Sequence, residues 1–166
     1  FDISGQEGAP TGLAFNTDGT KMFVSGPWGD DINEYTLSTG FDVSTASFVD
    51  SFDISSQEIN ATGLAFNTDG TKMFVAGVTG DDINEYTLTT GFDVSTASFV
   101  DSFDISGQET SPYDLAFNTD GTKMFLVGYE GKDVNEYTLT TGFDVSTASF
   151  VDSFSVSGQE LSLIHI

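Results

Sequence analysis

The sequence has no cysteine, no arginine and only one histidine, His165. The missing cysteine excludes disulfides, thiol catalysis and cysteine-bound metals. Four lysines stand against 26 acidic residues, for a net charge of −22. Nucleic-acid affinity comes mainly from basic side chains that neutralise phosphates, so no nucleic-acid partner is expected. Anionic lipid headgroups would repel the chain for the same reason. No apolar run approaches the roughly 20 residues of a membrane helix, and no membrane insertion is expected. No stretch carries a helical period with caps.

What is present is repetition. Phe1-Asp-Ile-Ser returns at Phe52 and at Phe103, each time 51 residues on. The full copies are 1–51, 52–102 and 103–153, and a fourth begins at 154–160. Within each copy, apolar runs alternate with turns. Thr11 to Phe15, Lys21 to Ser25, Ile32 to Leu37 and Ser47 to Ile54 read as strands. Asp18-Gly19 between two such runs is a hairpin signal, because glycine accepts a positive φ. Gly40 to Thr45 reads as a longer turn in which Asp and Ser side chains bond nearby backbone. Phe15, Phe23, Phe41, Phe48 and Phe52 recur in every copy and are assigned to the core, and Tyr35, Tyr86 and Tyr137 to structural positions. Four antiparallel strands per 40–50 residues is the signature of a propeller blade.

Leu13-Ala-Phe-Asn-Thr-Asp-Gly-Thr-Lys-Met-Phe-Val24 resembles the repeat of the YVTN, lactonase-like and TolB-type propellers, with Asn16-Thr17 where Ser-Pro is usual. The repeats are also similar to those of uncharacterised proteins of marine bacteria and their phages. The resemblance implies an all-β fold, a β-propeller arc of three four-stranded antiparallel blades. Such an arc is an incomplete ring and a fragment of a longer protein. The chain is expected to begin within the outer strand of a preceding blade. Leu161 to Ile166 match nothing in the repeat. They equal the in-frame translation of a sequencing-library transposon end, so they are assigned to a metagenomic read artefact, and His165 with them.

Without His165 the catalytic inventory is poor. Lactonase-like propellers use different residues from different blades around one centre, and copies this alike do not supply that asymmetry. An enzyme is not expected, and no cofactor. Asn16-Thr-Asp-Gly-Thr20 fails the EF-hand spacing. Gly29-Asp-Asp-Ile-Asn-Glu34 gathers three carboxylates and offers at most a weak Ca²⁺ site.

The copies differ at thirteen of 51 positions. Six lie within Gly5 to Gly12 and six within Val24 to Ile32; Ser38 is the remaining one. The changes are large in character: Trp28 becomes Thr79 and then Glu130. In an up-and-down sheet these two stretches lie at one end of the strands, so variation is confined to one rim of a fixed scaffold. Ligand contacts are therefore expected from Trp28, Asp30, Asp31, Thr79, Tyr113, Tyr129 and Glu130. The function expected is a binding or adhesion module of a secreted, cell-surface or virion protein, with a lactonase-like enzyme or a structural spacer as alternatives. Its partners would be a carbohydrate or protein surface. Further blades of a longer chain, or a second copy, would cover the apolar end faces.

Overall fold

The computed structural model describes residues 1–158; the end of the fourth repeat start, the segment 161–166 and His165 lie outside the described residues. Twelve strands form three sheets. β1 (Gly12–Phe15), β2 (Lys21–Ser25), β3 (Asp31–Leu37) and β4 (Ala46–Asp53) make the first, in that order. β5 (Ala61–Phe66), β6 (Lys72–Gly77), β7 (Asp82–Leu88) and β8 (Ala97–Asp104) make the second. β9 (Pro112–Phe117), β10 (Lys123–Gly128), β11 (Asp133–Leu139) and β12 (Ala148–Ser155) make the third. Every pairing is antiparallel between sequence neighbours. Each sheet is one blade, and the three stand as an open arc with β1, β5 and β9 innermost and adjacent. A bulge between Glu34 and Tyr35 shifts the register of β3 on β4, and it recurs in the other two blades.

The turns at one end are built by local chemistry. Gly19 sits at φ +72° and donates its N–H to the Asn16 carbonyl at 3.1 Å. The Asp18 carboxylate accepts from the Thr20 amide and hydroxyl, at 3.0 and 2.5 Å. Phe41 bridges this hairpin to the next turn, since its amide donates to the Gly19 carbonyl at 3.0 Å and its ring lies where a Gly19 side chain would be. Phe41, Phe92 and Phe143 all adopt φ near +60°. A left-handed conformation costs a non-glycine residue roughly 1–2 kcal/mol. Aromatic packing offsets it: Phe92 lies 5.5 Å from Phe66 and 6.2 Å from Phe23, ring centre to ring centre. A single 3-10 turn follows in each blade, as at Val43–Thr45, where Asp42 caps the Ser44 amide.

The core lies between blades rather than within them. Strand alternation gives each sheet two faces. Met22, Val24, Tyr35 and Leu37 form the face toward the preceding position, called leading here; Phe23 and Ile32 form the trailing face. Phe23 and Ile32 of the first blade pack on Leu64, Met73, Val75 and Tyr86 of the second. Phe74, Ala76 and Ile83 of the second pack on Leu115, Met124, Leu126 and Tyr137 of the third. Each buried Phe, Ile or Leu of this kind contributes about 1.5–3 kcal/mol.

A polar latch completes each junction. Lys21 Nζ donates to Glu34 Oε1 at 2.6 Å and to the Phe92 carbonyl of the next blade at 2.5 Å. Glu34 Oε2 accepts from the Val94 amide at 3.0 Å. Lys72 and Glu85 repeat this on Phe143 and Val145. One sequence expectation needs correction. Phe48, Phe99 and Phe150 are not core: all three are exposed, because they stand on outer strands with no sheet beyond them. Each still meets a buried tyrosine edge-on, at 5.7–5.8 Å.

Candidate functional site on the variable rim

Gly12 of β1 pairs with Ser25 of β2, so the stretch before β1 and the loop after β2 do meet at one rim. An invariant glutamate at each blade ties them together. Glu58 is fully buried. Its Oε1 accepts from the Asn60 amide at 2.6 Å in the first variable stretch. The same carboxylate accepts from the Thr79 amide at 3.2 Å and the Gly80 amide at 3.3 Å in the second. Glu109 does the same for Ser111, Glu130 and Gly131, and Glu7 for Ala9 and Gly29. Charge-assisted bonds to backbone amides are among the stronger hydrogen bonds. The glutamate therefore orders both loops by itself.

Asp31 and Asp82 stand beneath the same loops. Each accepts from an asparagine two residues on, Asn33 at 2.7 Å and Asn84 at 2.6 Å. Burial pushes both carboxyls above the usual range, and the nearby Glu7 or Glu58 adds to the shift; bonds from Asn and Ser side chains offset part of it. Asp30 and Asp81 adopt φ near +50°, as does Lys132. Their carbonyls accept from Ile54, Ile105 and Val156, which anchors each loop to the outer strand's exit. Asp31 and Glu34 fall on opposite faces of β3, since one bonds Asn33 and the other the latch lysine. The three carboxylates of Gly29 to Glu34 thus do not converge, and no metal-holding cluster of acidic or histidine residues occurs among the described residues.

A groove of about 400 Å³ runs between the start of β1 and the third blade. Thr11, Gly12 and Leu13 form one wall; Tyr113, Asp114, Val127 and Asp133 form the other. Tyr113 and Tyr129 meet edge to face, with ring centres 6.4 Å apart. Asp114 replaces the glycine of the other two copies, and burial raises its carboxyl above the usual range despite a bond from the Leu115 amide.

The expected site residues thus divide. Tyr113 lines the groove, and Tyr129 packs against Tyr113 without lining it. Trp28, Thr79 and Glu130 occupy equivalent positions on three successive blades, so they share a rim rather than a pocket. Trp28 is 76% exposed and its ring covers Gly8. Asp30 and Asp31 serve loop geometry. Sequence reasoning passed over Glu7, Glu58, Glu109 and Asp114. The signal was there: Gln6-Glu7 stays constant inside a variable stretch, and Asp114 departs from Gly12 and Gly63.

No family model matches the chain, and no curated protein does. Solved structures do resemble it. A putative 6-phosphogluconolactonase from Bacteroides fragilis superposes with a TM-score of 0.63 at 12% identity, over 89% of this chain and 39% of that one. The periplasmic gluconolactonase PpgL of Pseudomonas aeruginosa gives 0.59 at 14%, over 88% and 39%. The β-propeller domain of Cps50 (Swd1) from Myceliophteria thermophila gives 0.56 at 13%, over 89% and 43%. At such identities the likeness shows the fold alone: the chain is an open β-propeller arc of three blades. It spans about two fifths of the length of these structures.

Proposed function

We propose that the arc belongs to a non-catalytic binding propeller whose groove takes a neutral, polyhydroxylated ligand, a carbohydrate in the first instance. The observation that carries this reading is Tyr113 in the groove wall beside Asp114 and Asp133, backed by Tyr129 edge to face. Aromatic faces pack on the apolar faces of sugar rings, and carboxylates accept bonds from hydroxyls. A net charge of −22 turns away anionic ligands and leaves cationic and neutral ones, of which the tyrosine pair suits a neutral sugar. The binding needs no cofactor. The setting that suits such a module is a secreted, cell-surface or virion protein, where the ligand would be a glycan or a glycosylated protein surface.

The test is a glycan array probed with the full chain, followed by titration of the best ligand against Y113A and Y129A. Both replacements should weaken binding at least tenfold. Unchanged binding, or binding lost only on altering Asn16 to Thr20, refutes it. A second reading, a lactonase-type enzyme, has the likeness to two proteins so named in its favour. Turnover of a sugar lactone, abolished by D114N, would select it.

A further inference from the structure

Every blade ends on the same strand. β4, β8 and β12 share the sequence Ala-Ser-Phe-Val-Asp-Ser-Phe and differ only in their last residue, which is Asp53, Asp104 or Ser155. Each is the outermost strand of its sheet, so among the described residues one edge of its backbone meets no strand. The open edge is a property of the blade and not of the arc's ends, because β8 has a blade on either side. Phe99 and Val100 stand half-exposed on it. An open edge rich in aromatic and β-branched residues is a template for a further strand. Three such edges of one sequence are also self-complementary, since two copies of a strand pair antiparallel about a two-fold axis. The occupant that fits them is therefore a second copy of this chain.

The donors along these edges are nevertheless spent. In the second blade the Ile105 amide donates to the Asp81 carbonyl at 2.9 Å, and the register continues through Asp82 with Asp104 to Glu85 with Asp101. Antiparallel residues alternate between facing the partner and facing away, so Asp101 and Phe103 face β7 while Ser102 and Asp104 face outward. The outward Ser102 amide donates to Asp101 Oδ1 at 2.8 Å. Ser51 and Ser153 donate to Asp50 and Asp152 at the same distance. At the start of each strand the Ala46, Ala97 and Ala148 amides turn back to the carbonyls of Val43, Val94 and Val145. Between the two spent donors lies the bulge, where Val100 has no opposite residue on β7.

We propose that the outer edges are latent self-association surfaces, held closed by Asp50, Asp101 and Asp152. The 3-10 turn and the bulge close the first half of each edge, and bulges blunt pairing in this way generally. The carboxylate closes the second half by taking the one outward amide that an added strand would reach first. Its charge beside the edge adds repulsion, but the capped amide is the decisive part, because a strand cannot join where its partner's donor is already bonded. Without the cap, Ser102 and Asp104 present consecutive outward groups next to Phe99 and Val100. Two chains then meet edge to edge, and two four-stranded blades become one continuous sheet.

The test separates the cap from the charge. D50A/D101A/D152A removes both, whereas D50N/D101N/D152N removes the charge and keeps a side-chain oxygen that accepts from the serine amide. By light scattering the Ala variant should form particles of about twice the unaltered chain's mass or more. The Asn variant should match the unaltered chain. Hydrogen exchange should show the outward Asp104 amide slowed in the Ala assemblies, since only edge pairing gives it a partner strand. Circular dichroism checks that the Ala variant keeps its β spectrum. If it does not, D101A alone takes its place, and one opened edge per chain should give about a twofold mass and no more. An Ala variant no heavier than the unaltered chain overturns the proposal. So does an Asn variant that associates as far as the Ala one, or an assembly that leaves the Asp104 amide unprotected.

Discussion

The carboxylate of Glu58 occupies the space that a side chain at Gly77 would need. Glu58 lies in the loop before β5 and Gly77 ends β6, and neither can change alone. Glu109 with Gly128 and Glu7 with Gly26 repeat the relationship. Replacing Glu58 by Ala leaves the amides of Asn60, Thr79 and Gly80 without their acceptor. The expected loss is about 2 kcal/mol, the scale of an unsatisfied buried group. G77A should cost a similar amount by displacing the carboxylate. Chemical denaturation of both variants checks this, and the double variant should lose less than the sum, because the same bonds are broken once.

The latch offers an internal control. Glu85 is buried and holds both Lys72 and the Val145 amide, while Glu136 is partly exposed and, among the described residues, holds only Lys123. E85A should destabilise by about 2–3 kcal/mol, below the range for a fully buried pair because Lys72 keeps some solvent. E136A should cost about 0–1 kcal/mol under dilute conditions, as exposed pairs do. Equal losses in thermal unfolding would mean that the junction contributes nothing to the value of the pair.

The blade was legible from the sequence because its signals are local. Asp18-Gly19 sets a hairpin, and the alternation in Lys21 to Ser25 and Ile32 to Leu37 sets two faces. The site was less legible because its organising contacts are not local. Glu58 meets Thr79 at a separation of 21 residues, and no pattern within either loop announces the bond. The constancy of the opposite turns also has a different cause from the one that sequence comparison suggests. Gly19 lies under the Phe41 ring, and Phe92 and Phe143 meet Phe23 and Phe74 of the preceding blades, so those turns cannot vary without breaking the core. The variable loops can, because Glu7, Glu58 and Glu109 hold backbone amides that every residue but proline possesses.

Asp82 should make stability depend on pH in an unusual sense. Its folded-state carboxyl lies above the ordinary value, chiefly through burial, with Glu58 and Asp104 adding to it. The folded state therefore holds the proton more tightly than the unfolded chain. The penalty is absent below the unfolded value and sets in as pH rises through the folded one. D82N retains the acceptor for Asn84 but cannot ionise. It should match the unaltered chain near pH 3 and exceed it in melting temperature at neutral pH. A difference that shrinks with rising pH would contradict the assignment.

The variable positions of the two loops should be coupled in pairs. The Trp28 ring lies where any side chain at residue 8 would project, and residue 8 is glycine. The second blade has Ile59 and Thr79 at these places, and the third Thr110 and Glu130. The large ring thus coincides with the missing side chain, and the smaller or more flexible residues with a filled one. Thr79→Trp alone should place its ring against Ile59 and either clash or stand off into water. Ile59→Gly alone should lose the contacts of Ile59. Together they should recreate the first blade's packing, Trp on Gly. A double-mutant cycle in thermal or chemical unfolding should then return a favourable coupling of about 1 kcal/mol, within the usual range for residues in contact. Additive effects would show that the two loops vary independently. In that case the concentration of change on this rim would owe nothing to their mutual packing.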